Sequence, residues 1–229
     1  MRTLNLIKGD LRFILKYGIA FIYIAFTLIY SGVLSVISGN ARQITAVILI
    51  YTDPAAMGLF FMGAFILLEK SQRVNCAVAV TPVTINEYII SKCVSLLVPG
   101  TLVGALLCLL ASPKSIFSAV PAIICASALF SMCGLISAVG SKSLNGFMIS
   151  VIPFEIIICL PAILYVFNII SSDLWIIHPG VAAMRLIMGN TQLWYLSIIS
   201  TILWILIAFI VCRKFIKRYF EELGGGKII

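Results

Sequence analysis

Six long apolar runs alternate with short polar or basic segments along the chain: 17–37, 44–68, 90–111, 116–139, 147–168 and 193–212. A bilayer core about 30 Å thick is crossed by about 20 apolar residues in a helix. The pattern therefore predicts an all-α integral membrane protein with six transmembrane helices. Residues 1–16 have a different pattern. Leu4, Ile7, Leu11 and Ile14 recur at helical spacing, while Arg2, Lys8, Arg12 and Lys16 take other positions. This predicts an interfacial helix among membrane lipids, its basic edge toward their phosphates. The second run is interrupted by Asp53-Pro54. Asp is a good N-cap and Pro suits the first helical position, so a fresh helix is expected at 54–69, with 44–52 as a separate apolar piece. That helix is about 24 Å long, short of a full crossing.

Composition narrows the choices. The 229 residues are 62% hydrophobic and 10% charged, with mean hydropathy +1.17. Soluble domains run about 45–50% apolar and about 25% charged. A water-soluble globule, a disordered chain, a secreted disulfide scaffold and a free nucleic-acid-binding domain are excluded. Six spans use nearly the whole length, so 1–229 reads as a single transmembrane domain with no room for an energy-converting one. The seven cysteines form no CxxC pair and most lie inside apolar runs, which argues against a disulfide or zinc framework. The basic start leads into a long apolar run without a small-residue cleavage site, unlike a signal peptide.

The net charge of +8 is read as topology rather than nucleic-acid binding. With the N-terminus inside, the inner side carries Arg2, Lys8, Arg12, Lys16, Lys70, Arg73, Lys92, Lys142, Arg213, Lys214, Lys217, Arg218 and Lys227. The outer side carries Arg42, Lys114 and Arg185. Thirteen against three puts both termini in the cytoplasm, with 169–192 as an external loop and 213–229 as a cytoplasmic tail.

The inner loop between the second and third runs has a specific grammar. Thr84-x-x-Glu87 is a capping box that starts a helix running through Tyr88 and Lys92 into the third span. Pro82 prevents one continuous helix across the loop. Residues 70–83 thus form a short, stiff projection, suited to docking a soluble partner; the plainer reading is a helical hairpin. A P-loop is missing. The nearest sequence, Gly226-Lys227-Ile228, has Glu221 where the first Gly belongs and lacks the hydroxyl, so this chain is not expected to bind or hydrolyse ATP alone. Nor are paired catalytic motifs of an intramembrane enzyme present.

Two carboxylates fall at membrane depth. Glu155 lies about 13 Å into the fifth run, between Pro153 and Pro161. A charge there costs at least about 2.5 kcal/mol, so it should face protein or water. It reads as a substrate-cavity group or gate, or as a carboxyl tied to carbonyls that the prolines free. Asp53 is read first as a helix cap and second as a cavity group. Gly100-x-x-x-Gly104 permits close helix contact, within the chain rather than between copies. His178, alone in the outer loop, is not read as a metal ligand.

The stretch from an apolar span ending in Glu69-Lys70, through Thr81-Pro82, to Glu87-Tyr88 and Lys92 resembles type-2 ABC exporter permeases; Phe61 and Gly63 belong to the same pattern. Leu6-x-x-x-Asp10-Leu11-Arg12 and Asp53-Pro54-Ala55 resemble small permeases described as fluoroquinolone or multidrug exporter subunits. This chain departs from the family in reading Ser71-Gln72-Arg73 where Gly often follows Glu-Lys. The resemblance implies a permease dimer, of two copies or two paralogues, in a bacterial plasma membrane, and a short external helix at Pro179–Met188 in the outer loop. Two copies of a separate ATPase, holding ATP and Mg, would dock on 70–83. Glu69, Lys70, Arg73, Thr81, Pro82 and Glu87 would couple ATP use to outward movement of drug-like, lipid-like or peptide cargo. The competing expectation is an ion-coupled secondary transporter working through Asp53 and Glu155, disfavoured by the absence of an internal repeat.

Overall fold

A computed structural model describes residues 2–111, 116–190 and 192–223, with the side chains of 53–56 outside the description. The described residues form nine α-helices and no strand: α1 (Arg2–Lys16), α2 (Ile19–Val36), α3 (Gly39–Ser71), α4 (Val74–Ala79), α5 (Ile85–Ala111), α6 (Ile116–Gly140), α7 (Leu144–Val166), α8 (Pro179–Ile187) and α9 (Trp194–Glu222). A 3-10 turn at Asp173–Ile177 precedes α8. Six of these, α2, α3, α5, α6, α7 and α9, are long and apolar enough to cross a membrane. The chain is a multi-pass helical membrane protein.

Helix α6 is the axis, buried along most of its length between α3, α5, α8 and α9. Its small residues allow close approach, and Ser127, Ser131, Cys133 and Gly134 are all buried. Gly63 on α3 faces α7, where the Phe147 ring occupies the space a Cβ would fill, 1.9 Å from its ideal position. Gly100 and Gly104 of α5 are buried inside the chain, in keeping with intrachain packing. Helices α2, α7 and α9 leave apolar side chains such as Phe21, Leu28, Ile149, Ile156, Leu203 and Ile210 exposed, as lipid contact requires.

Three expectations change. The second span is not broken at Asp53-Pro54: α3 is one helix of 33 residues. Proline removes a single N–H, and packing on α5 and α6 holds the helix on both sides of it, with Tyr51 and Leu59 fully buried. Residues 213–222 are not a separate tail but the last turns of α9, while 224–229 lie outside the described residues. The helix in the 169–192 loop exists, yet it is not a surface element. All nine residues of α8 are buried against α6, α7 and α9.

Candidate functional site: a charged hub at the basic end

The start of α1 and the end of α9 lie at one end of the bundle, here called the basic end. There α1, the start of α5 and the ends of α3, α6 and α9 converge on the 72–84 loop. On α5, Tyr88, Ser91 and Lys92 share one face, as positions three and four apart do. The Lys92 ammonium, 3% exposed, reaches Asp10 of α1 at 2.7 Å and Glu69 of α3 at 2.5 Å. Ser91 donates its hydroxyl to the other Asp10 oxygen, and Tyr88 donates to Oε2 of Glu69 at 3.3 Å. Every oxygen of both carboxylates therefore accepts a hydrogen bond. The ammonium also faces the Phe65 ring at 4.1 Å. A buried ion cluster is tolerable only when satisfied in this way. It fastens α1, α3 and α5 to one another through side chains alone.

The next residue points elsewhere. Lys70 donates to the carbonyl oxygens of Ala138, Val139 and Ser141 at 2.7–2.9 Å, so all three ammonium protons go to the C-terminal turn of α6. A cation there satisfies orphan carbonyls and complements the helix dipole. Its Nζ lies 5.0 Å from the Tyr219 ring of α9. Glu69 and Lys70, adjacent in sequence, thus bind three other helices between them, α5, α6 and α9. Neither is offered to a docking partner as a free surface charge.

The loop itself is braced from both sides. Arg73 takes a left-handed conformation, φ 55°, and starts α4. Asn75, buried, donates to the Tyr219 hydroxyl at 2.8 Å. The capping box forms: Glu87 accepts from the Thr84 N–H at 2.9 Å, and the Glu87 N–H donates to the Thr84 hydroxyl at 3.3 Å. Arg2 donates to the Pro82 carbonyl at 3.4 Å and Thr3 to the Glu87 carboxylate at 3.5 Å, tying the start of α1 to the same corner. What stays exposed is a rim of Arg73, Cys76, Ala77, Val80, Thr81 and Pro82. The charged side chains of the site beneath that rim are committed to partners within the chain. The site is a stiff joint under an exposed rim.

Sequence reasoning missed Asp10. The amphipathic reading put Leu4, Ile7, Leu11 and Ile14 on one apolar face, but Leu4 is exposed and α1 buries Asp10 with Ile14. The available signal was that Asp10 lies one turn before Ile14 and is the one carboxylate of α1. Lys92 reads from sequence as an inner-side charge within the family pattern, and only the fold supplies its partners.

The other expected site residues stay apart from this hub. Glu155 is half-buried on α7, beside exposed Ile152 and Ile156, and makes no hydrogen bond to another described residue. The Asp53 side chain lies outside the described residues. The carbonyl freed by Pro161, that of Ile157, is taken by His178 rather than by Glu155: His178 Nε2 donates to it at 3.0 Å. Among the described residues, no three His, Cys, Asp or Glu side chains converge to hold a metal ion. No protein-family model matches the chain, and no curated protein or solved structure matches it either.

Proposed function

We propose that this chain is the transmembrane permease subunit of an ATP-driven exporter of the type-2 ABC kind, powered by a separate ATPase. The observation that carries the reading is the joint at the basic end. A rim of loop residues stands exposed over a cluster that rigidly connects α1, α3, α5, α6 and α9. A push on the rim is passed to five helices at once, because the contacts beneath it are directional and both carboxylates of the ion cluster are fully paired. The excess of Lys and Arg at the same end favours a cytoplasmic placement, with both termini inside, where an ATPase is found. Arg73, Thr81 and Pro82 make the contact in this reading. Glu69, Lys70 and Glu87 act behind them by holding the lever stiff. The cargo is a small drug-like, lipid-like or peptide molecule, and a second permease completes the unit.

The test begins with the reading frames beside this one: a stand-alone ABC ATPase is expected there, to be reconstituted with the chain in vesicles. Cys76 is exposed on α4, so a thiol-to-amine crosslinker on the unmodified protein is expected to join the two chains. Arg73→Glu or Pro82→Gly is expected to leave ATP hydrolysis running while transport falls. Crosslinks confined to engineered cysteines at 213–222, with none from Cys76, would place docking elsewhere and defeat the reading.

A further inference from the structure

At the end of the bundle opposite the hub lies a cavity of about 390 Å³. It is built where four elements stop short of one another: the first turns of α3, the last turn of α5, and the C-terminal ends of α7 and α8. Two of its walls are closed helix ends. Past α7 the chain turns through Asn168 at φ 55°, and past α8 through Gly189 at φ 72°. The N–H groups beyond each helix double back onto its carbonyls: Ile169 donates to Leu164 and Asn168 to Tyr165, Asn190 to Arg185 and Gly189 to Leu186. These turns satisfy the helix ends and make stiff walls.

The cavity has two chemically distinct parts. Its floor, with Ala46, Ile50, Cys108, Val166 and Ile187 all buried, is apolar. Its mouth carries three exposed amides, Asn40, Gln43 and Asn168, and the flexible thioether of Met188. Small side chains at Ala46 and Ala111 open the space. Among the described residues no acidic or basic side chain lines it. The neighbouring charge, Arg42, is turned away and donates to the Leu110 carbonyl at 2.9 Å, closing the end of α5.

We infer that this cavity binds one uncharged amphiphile, an apolar body in the floor with a hydroxyl or carbonyl head among the three amides. The size lies within the about 300–1,000 Å³ of small-molecule pockets. A bare charge entering it would lose hydration and find no countercharge. Amides both donate and accept, so they serve an uncharged polar head of either sense. The mouth sits at the ends of membrane-crossing helices, where an amphiphile orients with its polar head outward. This inference stands on the cavity and does not depend on the export reading or on any ATPase.

The test is photolabelling of the purified full chain in phosphatidylcholine vesicles with 4-(hydroxymethyl)benzophenone, mapped by peptide mass spectrometry. Labelling is expected to saturate and to concentrate in 40–50 and 166–168. The anionic 4-benzoylbenzoate and the cationic 4-(aminomethyl)benzophenone are expected to label those peptides about tenfold less, since neither charge is matched there. Val47 also lines the cavity, and Val47→Trp, which fills it from the α3 wall, is expected to abolish the saturable part. The exposed mouth variant Gln43→Leu, which leaves packing intact, is expected to weaken labelling by the alcohol but not by plain benzophenone. Competition by 1-oleoylglycerol in the vesicles assigns the cavity to a bilayer amphiphile; saturable labelling without competition assigns it to a smaller soluble one. Unsaturable labelling spread over α2, α7 and α9 and indifferent to both variants would overturn the inference. So would equal labelling by the charged analogues.

Discussion

Lys70 and Arg42 do similar work at opposite ends of the bundle, but their surroundings differ. Lys70 closes α6 with three hydrogen bonds inside a hub where Asp10, Glu69 and Lys92 are also committed. Arg42 closes α5 with one carbonyl contact, beside an open cavity. The basic end is joined by charge. The far end is joined by shape: α8 enters the bundle next to Ile157, about 13 Å in from the end of α7. Gly180 lies so close to α7 that a Cβ there would sit 2.1 Å from the Ile158 carbonyl oxygen. His178 fills the hydrogen-bonding gap left by Pro161, and Trp204 and Ser200 of α9 both donate to the Ile177 carbonyl, at 2.7 and 3.0 Å. Irregular backbone at that depth is tolerated because protein, not lipid, surrounds it. A charge-built joint is vulnerable to losing one partner and recoverable by losing all of them. A shape-built joint has no such recovery.

The largest effect is therefore expected from Lys92→Met. It strands two carboxylates in a buried site, a change worth about 3–5 kcal/mol. Thermal melting in detergent should show a severe loss. The triple variant Asp10→Asn, Glu69→Gln, Lys92→Met should regain most of it. Equal melting of Lys92→Met and wild type would remove the charge-built half of the comparison. Gly180→Ala comes next, at about 1–3 kcal/mol or more, because the obstructing atom belongs to the backbone. Tyr51→Phe, which removes the other nearby oxygen, should not rescue it. Rescue would show that the fit at α8 is set by the Tyr51 hydroxyl and not by the α7 backbone.

Lys70→Ala should cost up to about 2 kcal/mol, and Arg42→Ala less, within about 1 kcal/mol, as the difference between a partly buried triple cap and an exposed single one. Reversal of that order in paired melts would show that the two ends are not differently built. Thr84→Ala removes the capping hydroxyl, worth about 1 kcal/mol, and hydrogen exchange should speed up in the first turn of α5 before any change elsewhere.

The smallest effect is a pH dependence at the far end. Partial burial pushes His178 below the ordinary histidine value of 6.5, against a weaker upward pull from the Ile157 carbonyl. The folded protein thus prefers the neutral ring, and its preference is present above 6.5 and lost as pH falls below that value. Melting temperature should decline slightly between neutral and mildly acidic pH. The decline should be flatter in His178→Gln. An identical slope in both proteins would assign the effect to other groups.

Much of the architecture was legible without coordinates. Hydropathy located all six spans because lipid leaves a chain little choice but helices of crossing length. The capping box at Thr84 and Glu87 was readable because both partners lie within one turn. The continuity of α3 was not readable. Asp-Pro is a helix start locally, and only burial on either side of it outweighs that preference. The same holds for the site. Glu69, Lys70 and Lys92 stand out by pattern, but their partners lie 19 to 82 positions away, on or just past other helices. Periodicity assigns a residue to a face and cannot say which face it meets.

By itself, then, the sequence determined the apolar spans, their number, the asymmetry of charge between the two ends and the short-range caps, since each depends on composition or on neighbours within a turn. The tertiary structure alone decided that Asp10 meets Lys92, that Lys70 closes α6, that α8 sinks into the bundle and that a cavity remains where α3, α5, α7 and α8 end. Each of these is set by how helices of fixed length pack side by side, which depends on shape and charge complementarity between residues far apart in the chain.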